Sequence, residues 1–275
     1  MHTIYSEGWK DYELVDGGNG RKLERWGTTY TIRPDRNAYF PMQLKEEEWN
    51  AKVDFEFIED TPASGKWIKR KSDAEPEWEI KYGKAIFNIK LTKFKHVGLF
   101  PEQQTNWEFI QNKVQKDQRL LNLFGYTGAA SVIAKLNHAE VYHCDSVKNV
   151  LTWGKENMEA SGVEGIKWVL EDALKFAQRE AKRGNKYRAV IMDPPAFGIG
   201  VALPTGGPLV MLPELLGNQD HELSNAIALY PSPAKEQVTL SNRSNTALET
   251  AMIYDLDLRK ELQKPKFYFK LLFNR

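Results

Sequence analysis

The sequence predicts an α/β protein: a parallel sheet with helices between its strands, preceded by a small antiparallel β domain and followed by an atypical tail. Three observations predict it. Up to about Lys95, polar residues alternate with aromatic and β-branched ones; from about Val114, short apolar runs alternate with helical stretches; after Gly200 that rhythm stops. The domain reading that follows is 1–95 for the β-rich part, 96–200 for the α/β core and 201–275 for the tail.

Taken in order, YELVD (12–16), TTYTIRP (28–34), AKVDFEFIED (51–60) and WEIKYGKAIFNIKLTKF (78–94) repeat with a period of two and break at Gly or Pro. Alternation of that kind belongs to antiparallel strands with one buried face. Tyr82-Gly83-Lys84 reads as a hairpin turn. Five of the eight tryptophans (Trp9, Trp26, Trp49, Trp67, Trp78) fall in this part.

In the core, RLLNLFG (119–125) precedes the helix-like GAASVIAKLNH (128–138). EVYHCD (140–145) precedes SVKNVLTWGKENMEASG (146–162), which opens on a serine able to cap a helix and closes on glycine. IKWVLED (166–172) precedes ALKFAQREAKRGNK (173–186), and YRAVIMD (187–193) runs into PPAFG. Apolar strands alternating with helices imply βαβ units and a parallel sheet. In the tail, PLVML (208–212), AIALY (226–230) and FYFKLLF (267–273) are irregularly spaced, and TALETAMIYDLDLRKELQK (246–264) suits an amphipathic helix.

Composition bounds the function. With 41% hydrophobic and 27% charged residues the chain can bury a core. Lys plus Arg (38) nearly balance Asp plus Glu (37), which excludes binding of phosphate backbones by bulk charge alone. The single Cys144 excludes a disulfide framework and a cysteine zinc site and suits a reducing cytosol. The five histidines form no ligand spacing, so no metal is expected. No apolar run is long enough for a membrane span, and MHTIYSEGWKDYELVDGG lacks the apolar core of a secretory leader. The expectation is a soluble, cytoplasmic protein with no membrane partner.

In an open parallel sheet, ligands bind beyond the carboxyl ends of the strands. The first strand ends in Asn122-Leu123-Phe124-Gly125-Tyr126-Thr127-Gly128, where two glycines allow a tight turn and a close backbone approach. The full GxGxxG of a diphosphate binder is absent. A ligand without phosphate tolerates Tyr126 and Thr127 there. The second strand ends in Asp145, placed either to accept from ribose hydroxyls or, with Ser146, to cap the next helix. The third ends in Glu171-Asp172, offering an acceptor for an exocyclic amine or another helix cap. The fourth ends in Asp193-Pro194-Pro195-Ala196-Phe197-Gly198. Two prolines remove two N–H donors and leave nearby carbonyls free to accept from a substrate amine, while Phe197 can stack on a planar base.

Five ordered motifs, FKHVGLFPEQQTNW (94–107), LNLFGYTGAAS (121–131), HCDSVKN (143–149), LEDALKF (170–176) and IMDPPAFG (191–198), carry a resemblance. Region 91–200 resembles the class I, Rossmann-like S-adenosylmethionine-dependent methyltransferases, closest to the bacterial large-subunit ribosomal RNA branch. The resemblance implies S-adenosylmethionine as cofactor and RNA, ribosomal RNA above all, as substrate. It makes the first motif a lid, with Phe100 and Gln103 as cofactor contacts. It brings Gly125 and the turn of Gly125, Tyr126, Thr127 and Gly128 to the methionine part. Asp145 would take the ribose and Asp172 the adenine edge, with Asn122, Phe124, Ser146, Glu171 and Ala173 as further cofactor contacts. Asp193, Pro194, Pro195 and Phe197 would line the methyl-acceptor pocket.

Methylation of cytosine C5 requires a thiolate that adds to the base. Cys144 lies inside the second strand, on the cofactor side, so direct transfer to a base nitrogen is the expected chemistry and C5 transfer the alternative. A nicotinamide oxidoreductase on the same sheet and a non-catalytic RNA- or cofactor-binding remnant are further alternatives. Trp67-Ile68-Lys69-Arg70-Lys71, Arg21-Lys22 and Arg33-Pro34-Asp35-Arg36 are candidate RNA contacts, or else solvated edges. Residues 201–275 offer no convincing neighbour for the fourth strand. It is therefore expected to form an open edge with an ill-packed tail, through divergence or, by preference, a different reading frame or truncated product joined to an intact front half.

Overall fold

The computed structural model describes residues 8–61 and 64–193, and the backbone of strands at 227–230, 239–242 and 270–273. Its helices are α1 (Glu46–Lys52), α2 (Gln104–Lys113), α3 (Ala129–Leu136), α4 (Lys148–Ala160) and α5 (Ala173–Lys182). The chain divides into two compact units, Met1–Phe109 with Thr152–Glu164, and Ile110–Leu151 with Gly165–Arg275. No helix among the described residues is long and apolar enough to cross a membrane.

In the first unit, β1 (Tyr12–Gly18), β2 (Arg21–Trp26) and β3 (Thr29–Pro34) form an antiparallel meander. Asn19 and Gly20, with φ of 51° and 77°, make the left-handed turn whose twist matches paired strands. The chain then crosses through α1 and returns as β4 (Phe55–Thr61), which lies parallel to β3, and β5 (Ser64–Lys69) closes the sheet antiparallel to β4. The expectation of a wholly antiparallel sheet is corrected at this one pair, because a parallel neighbour needs a crossover and α1 supplies it. Glu46, Glu47 and Glu48 sit at the positive end of α1. Trp49, fully buried, packs with Leu23, Ile32 and Val53 beneath the sheet.

The predicted turn at Gly83 joins β6 (Glu77–Tyr82) to β7 (Ala85–Lys90), with Gly83 at φ 57°. The C-terminal part of α4 completes this unit through hydrogen bonds with β7. Asn157 Oδ1 accepts from the Asn88 amide at 2.8 Å, and Trp153 Nε1 donates to the Asn88 carbonyl at 2.8 Å. Ser161 Oγ accepts from the Ile86 amide at 2.9 Å and donates to its carbonyl at 3.0 Å. Backbone groups at two positions of β7 are thereby satisfied by side chains rather than by another strand.

The second unit carries β8 (Arg119–Leu123), β9 (Glu140–Asp145), β10 (Lys167–Leu170) and β11 (Ala189–Met192), parallel throughout in the order β10-β9-β8-β11. The four strands and their three helices stand where the apolar runs put them. Helix α5 shows why: Ala173, Phe176, Ala177 and Glu180 recur at helical spacing and are all buried. They pack with Leu121, Leu123, Cys144, Tyr187 and Val190, apart from Glu180, whose carboxylate accepts from the Tyr187 hydroxyl at 2.6 Å.

β12 (Ile227–Tyr230) and β13 (Thr239–Asn242) pair with each other, and β14 (Lys270–Phe273) pairs antiparallel with β11 from Ala189↔Phe273 to Met192↔Lys270. The expectation of an open edge at the fourth strand is therefore corrected: KLLF supplies a neighbour. The backbone groups of an edge strand are a template for any extended apolar segment within reach. The helix expected over 246–264 lies outside the described residues, as does the packing of the tail's side chains.

Candidate functional site

Strand order reverses beside β8, which has β9 on one side and β11 on the other, so the crevice expected to hold a ligand lies at the carboxyl ends of these strands. Register aligns those ends. Leu123 pairs with Cys144 and with Met192, and Asp145 pairs with Leu170. The next row along the sheet edge is then Phe124, Asp145, Leu170 and Asp193.

The turn after β8 is unusual in its backbone. Phe124, Tyr126 and Gly128 have φ of 56°, 51° and 80°, so two residues with side chains hold a left-handed conformation within five positions. Hydrogen bonds fix it. The Gly125 amide donates to the Cys144 carbonyl at 3.1 Å, the Gly128 amide to the Gly125 carbonyl at 3.0 Å, and the Tyr126 amide to Asp145 Oδ2 at 3.0 Å. Asp145 Oδ1 accepts from the Val147 amide at 2.9 Å. Its carboxylate therefore ties the glycine turn to Val147, the residue that leads into α4. A carboxylate has about four acceptor positions, and two remain for a ligand hydroxyl.

Beneath the turn lies a buried polar chain that the sequence does not announce. Asn122 Nδ2 donates to Ser131 Oγ at 2.9 Å, and Ser131 Oγ meets His143 Nδ1 at 2.9 Å. All three residues are buried, and His143 Nε2 has no hydrogen-bond partner among the described residues. Burial drives the His143 imidazole down to about 3, against the opposing pull of the Tyr126 backbone, so the ring is neutral. The ring lies against the Gly125 α-carbon. A Cβ at 125 would stand 2.3 Å from Cε1 and 2.6 Å from Nδ1. Gly125 is thus needed for room rather than for backbone freedom. Register across two strands creates this contact, and no local motif signals it.

The remaining predicted residues separate by environment. Thr127 is buried, Phe124 packs at the margin of the core, Ala173 is buried in it, and Ser146 is exposed. Asp172 caps α5, accepting from the Lys175 amide at 3.0 Å, and Glu171 is paired with Arg179 through Nη1 at 2.8 Å. Asp193 is exposed. Pro194, Pro195 and Phe197 lie outside the described residues. Phe100 and Gln103 belong to the first unit. The Phe100 ring is 5.3 Å from that of His96, and Gln103 Oε1 accepts from Asn106 Nδ2 at 2.7 Å. Three exposed aliphatic residues, Val147, Leu170 and Leu174, accompany the acidic tips of β9 and β10 and were missed because isolated exposed apolar residues are unremarkable in a sequence. Cys144 is fully buried, donates to the Glu171 carbonyl at 3.4 Å, and its thiol is pushed up to about 12 by burial and then by the Asp145 and Glu171 charges.

The basic segments of the first unit are mostly tied down. Arg70 pairs with Glu56 and Lys71 with Asp54; Arg21 pairs with Glu46 and Lys22 with Glu24 and Asp35. Arg33 makes a two-pronged bond to the fully buried Glu24 at 2.6 and 2.7 Å. Burial would raise the Glu24 carboxyl, but the Arg33 and Lys22 charges hold it down at about 2. Lys66, Lys69 and Lys93 have no carboxylate partner among the described residues.

Residues 59–228 match the family model described as S-adenosylmethionine-dependent methyltransferase. A ribosomal RNA large subunit methyltransferase K/L of Pseudoalteromonas atlantica is 31% identical over 131 residues, covering 47% of this chain and 18% of its own. That of Pseudoalteromonas translucida is 34% identical over 116 residues, 41% of this chain and 16% of its own. The chain thus spans under a fifth of the length of these curated relatives. Among solved structures, a SAM-dependent methyltransferase from Agrobacterium tumefaciens superposes with a TM-score of 0.67 at 39% identity, covering 70% of this chain and 62% of that one.

Proposed function

Because the chain belongs to the S-adenosylmethionine-dependent methyltransferase family, we propose that it methylates a base nitrogen in RNA, with ribosomal RNA as the substrate class. The observation that carries the reading is the row of strand ends in which Asp145 fastens the glycine turn while keeping acceptor positions open.

The residues present fit such a cofactor. Asp145, Glu171, Asp172 and Asp193 crowd these ends with carboxylates, which suits a cationic ligand and opposes a diphosphate. When bound, S-adenosylmethionine supplies an electrophilic methyl group on a sulfonium. Asp145 would accept from its ribose hydroxyls, the exposed Val147, Leu170 and Leu174 would offer apolar surface to its adenine, and Gly125 with Tyr126 and Thr127 would bring backbone to its methionine part. Asp193 would accept from the base amine and orient its lone pair, with Pro194, Pro195 and Phe197 as the rest of the acceptor corner. No step needs a nucleophilic side chain. The buried, protonated Cys144 supports nitrogen as acceptor over cytosine C5. In this assignment 1–95 reads RNA, 96–200 holds the donor and 201–275 follows the core.

Calorimetry with S-adenosylmethionine tests the site. Asp145→Ala removes the ribose acceptor and is expected to weaken binding about ten- to hundredfold. Transfer of labelled methyl to ribosomal RNA by the wild type tests the reaction. Equal affinity in both proteins, or label found on cytosine C5, would overturn the corresponding part of the reading.

A further inference from the structure

We propose that Phe94, carried between Lys93 and Lys95, is a base-stacking contact for single-stranded RNA; the inference rests on the RNA substrate proposed above. Phe94 is 47% exposed. Its backbone is held on several sides. The Phe94 amide donates to Thr92 Oγ1 at 3.1 Å, and its carbonyl accepts from Thr92 Oγ1 at 3.3 Å and from Trp67 Nε1 at 3.2 Å. The next carbonyl, that of Lys95, accepts from Arg33 Nη1 at 3.0 Å, and Arg33 is itself clamped by the buried Glu24. Two residues on, the Val97 carbonyl accepts from the Lys90 amide at 3.3 Å.

A segment fastened this firmly could turn its one large apolar side chain inward, yet it presents that ring to water. A rigid exposed aromatic loses little conformational freedom when a flat partner covers it. The charges around it name the partner. Lys93 Nζ stands 5.2 Å from the Phe94 ring centroid, and Lys95 is held beside Glu59 at 3.3 Å. On the adjoining edge strand β5, Trp67 reaches the Phe94 carbonyl and is flanked in sequence by the exposed Lys66 and Lys69. An exposed ring with one lysine over it and others nearby fits a base with phosphates on either side. A protein partner would favour carboxylates at the same margins, and a duplex would leave the ring no unstacked base.

The test uses the full chain with labelled oligouridine and a matched RNA duplex, and thermal unfolding as the control for folding. Phe94→Ala is expected to weaken oligouridine binding about 5- to 100-fold, with the melting temperature unchanged. Phe94→Trp is expected to restore binding and to report it by quenching of the new indole. If the wild type binds oligouridine and Phe94→Ala binds it equally well, or if the substitution weakens only duplex binding, the stacking role is overturned. If the wild type binds neither RNA, the RNA reading itself falls and the stacking role with it.

Discussion

Gly125→Ala should disturb the turn after β8 purely by volume, because Gly125 does not have the positive φ that would penalise alanine by itself. The new methyl would meet the His143 ring at 2.3–2.8 Å. Ordinary contact begins near 3.4 Å, so something must move by about 1 Å, which is a large shift in a close-packed interior. The ring cannot yield easily. It is fully buried, tied to Ser131 at 2.9 Å and packed 4.5 Å from the Trp168 ring. Overpacking of this kind costs roughly 1–3 kcal/mol, a fall of about 2–4 °C in melting temperature for each kcal/mol in a chain of this size. The turn would shift with it, so S-adenosylmethionine affinity should fall as well. His143→Ala removes the obstacle at its own cost in packing. Thermal unfolding and calorimetry on the wild type, both single variants and the double variant complete a cycle. The double variant should be about 1–3 kcal/mol more stable than the sum of the single effects. Additivity within about 0.5 kcal/mol would refute the steric account.

Other expectations are more local. His143 is neutral when folded, with its pKa pushed down to about 3 by burial, whereas unfolded histidine titrates near 6.5. The unfolded chain therefore binds the extra proton, and stability falls as pH drops from about 6.5 towards 3. At pH 5 the loss from His143 is about 2 kcal/mol; between pH 7 and 5 urea unfolding should show a correspondingly larger fall in the wild type than in His143→Asn, in which His96, also held down by burial, still titrates, and equal pH dependence of the two proteins would count against it. Cys144→Ala should cost about 1 kcal/mol of stability through a small cavity and leave methyl transfer intact; loss of transfer in a folded variant would revive thiol chemistry. Gly98→Ala combines a φ of 97° with a Cβ 2.0 Å from the Trp153 ring. It should cost roughly 2–4 kcal/mol, read as a lower melting temperature with altered tryptophan emission.

What the sequence made legible follows from how far each signal reaches along the chain. Period-two alternation located most of the first unit's strands, and the alternation of VIM-like runs with helical stretches located β8 to β11. Those are local patterns, fixed by a handful of neighbouring residues. The parallel β3–β4 pair and the β14–β11 pair escaped because pairing partners separated by a crossover or a long segment leave no local trace. At the site, the acidic strand ends and the glycine turn were readable from spacing. Asp172 and Glu171 carried two readings, and the structure gives them a cap and an ion pair to satisfy. His143 belongs to no ligand spacing in the sequence; its meaning depends on Gly125 lying across the sheet from it, which only register supplies.

The way α4 is shared has a genetic consequence. The first unit is discontinuous: Trp153, Asn157 and Ser161 arrive from far downstream to seal β7, and Gly98 lies flush against Trp153. A gene fragment ending before that helix would encode a hairpin with amides at Ile86 and Asn88 bare and an indole-shaped gap beside the glycine. Such a piece cannot be inherited or grafted as a stand-alone cassette. Recombination that preserves it must carry the intervening strands β8 and β9 along.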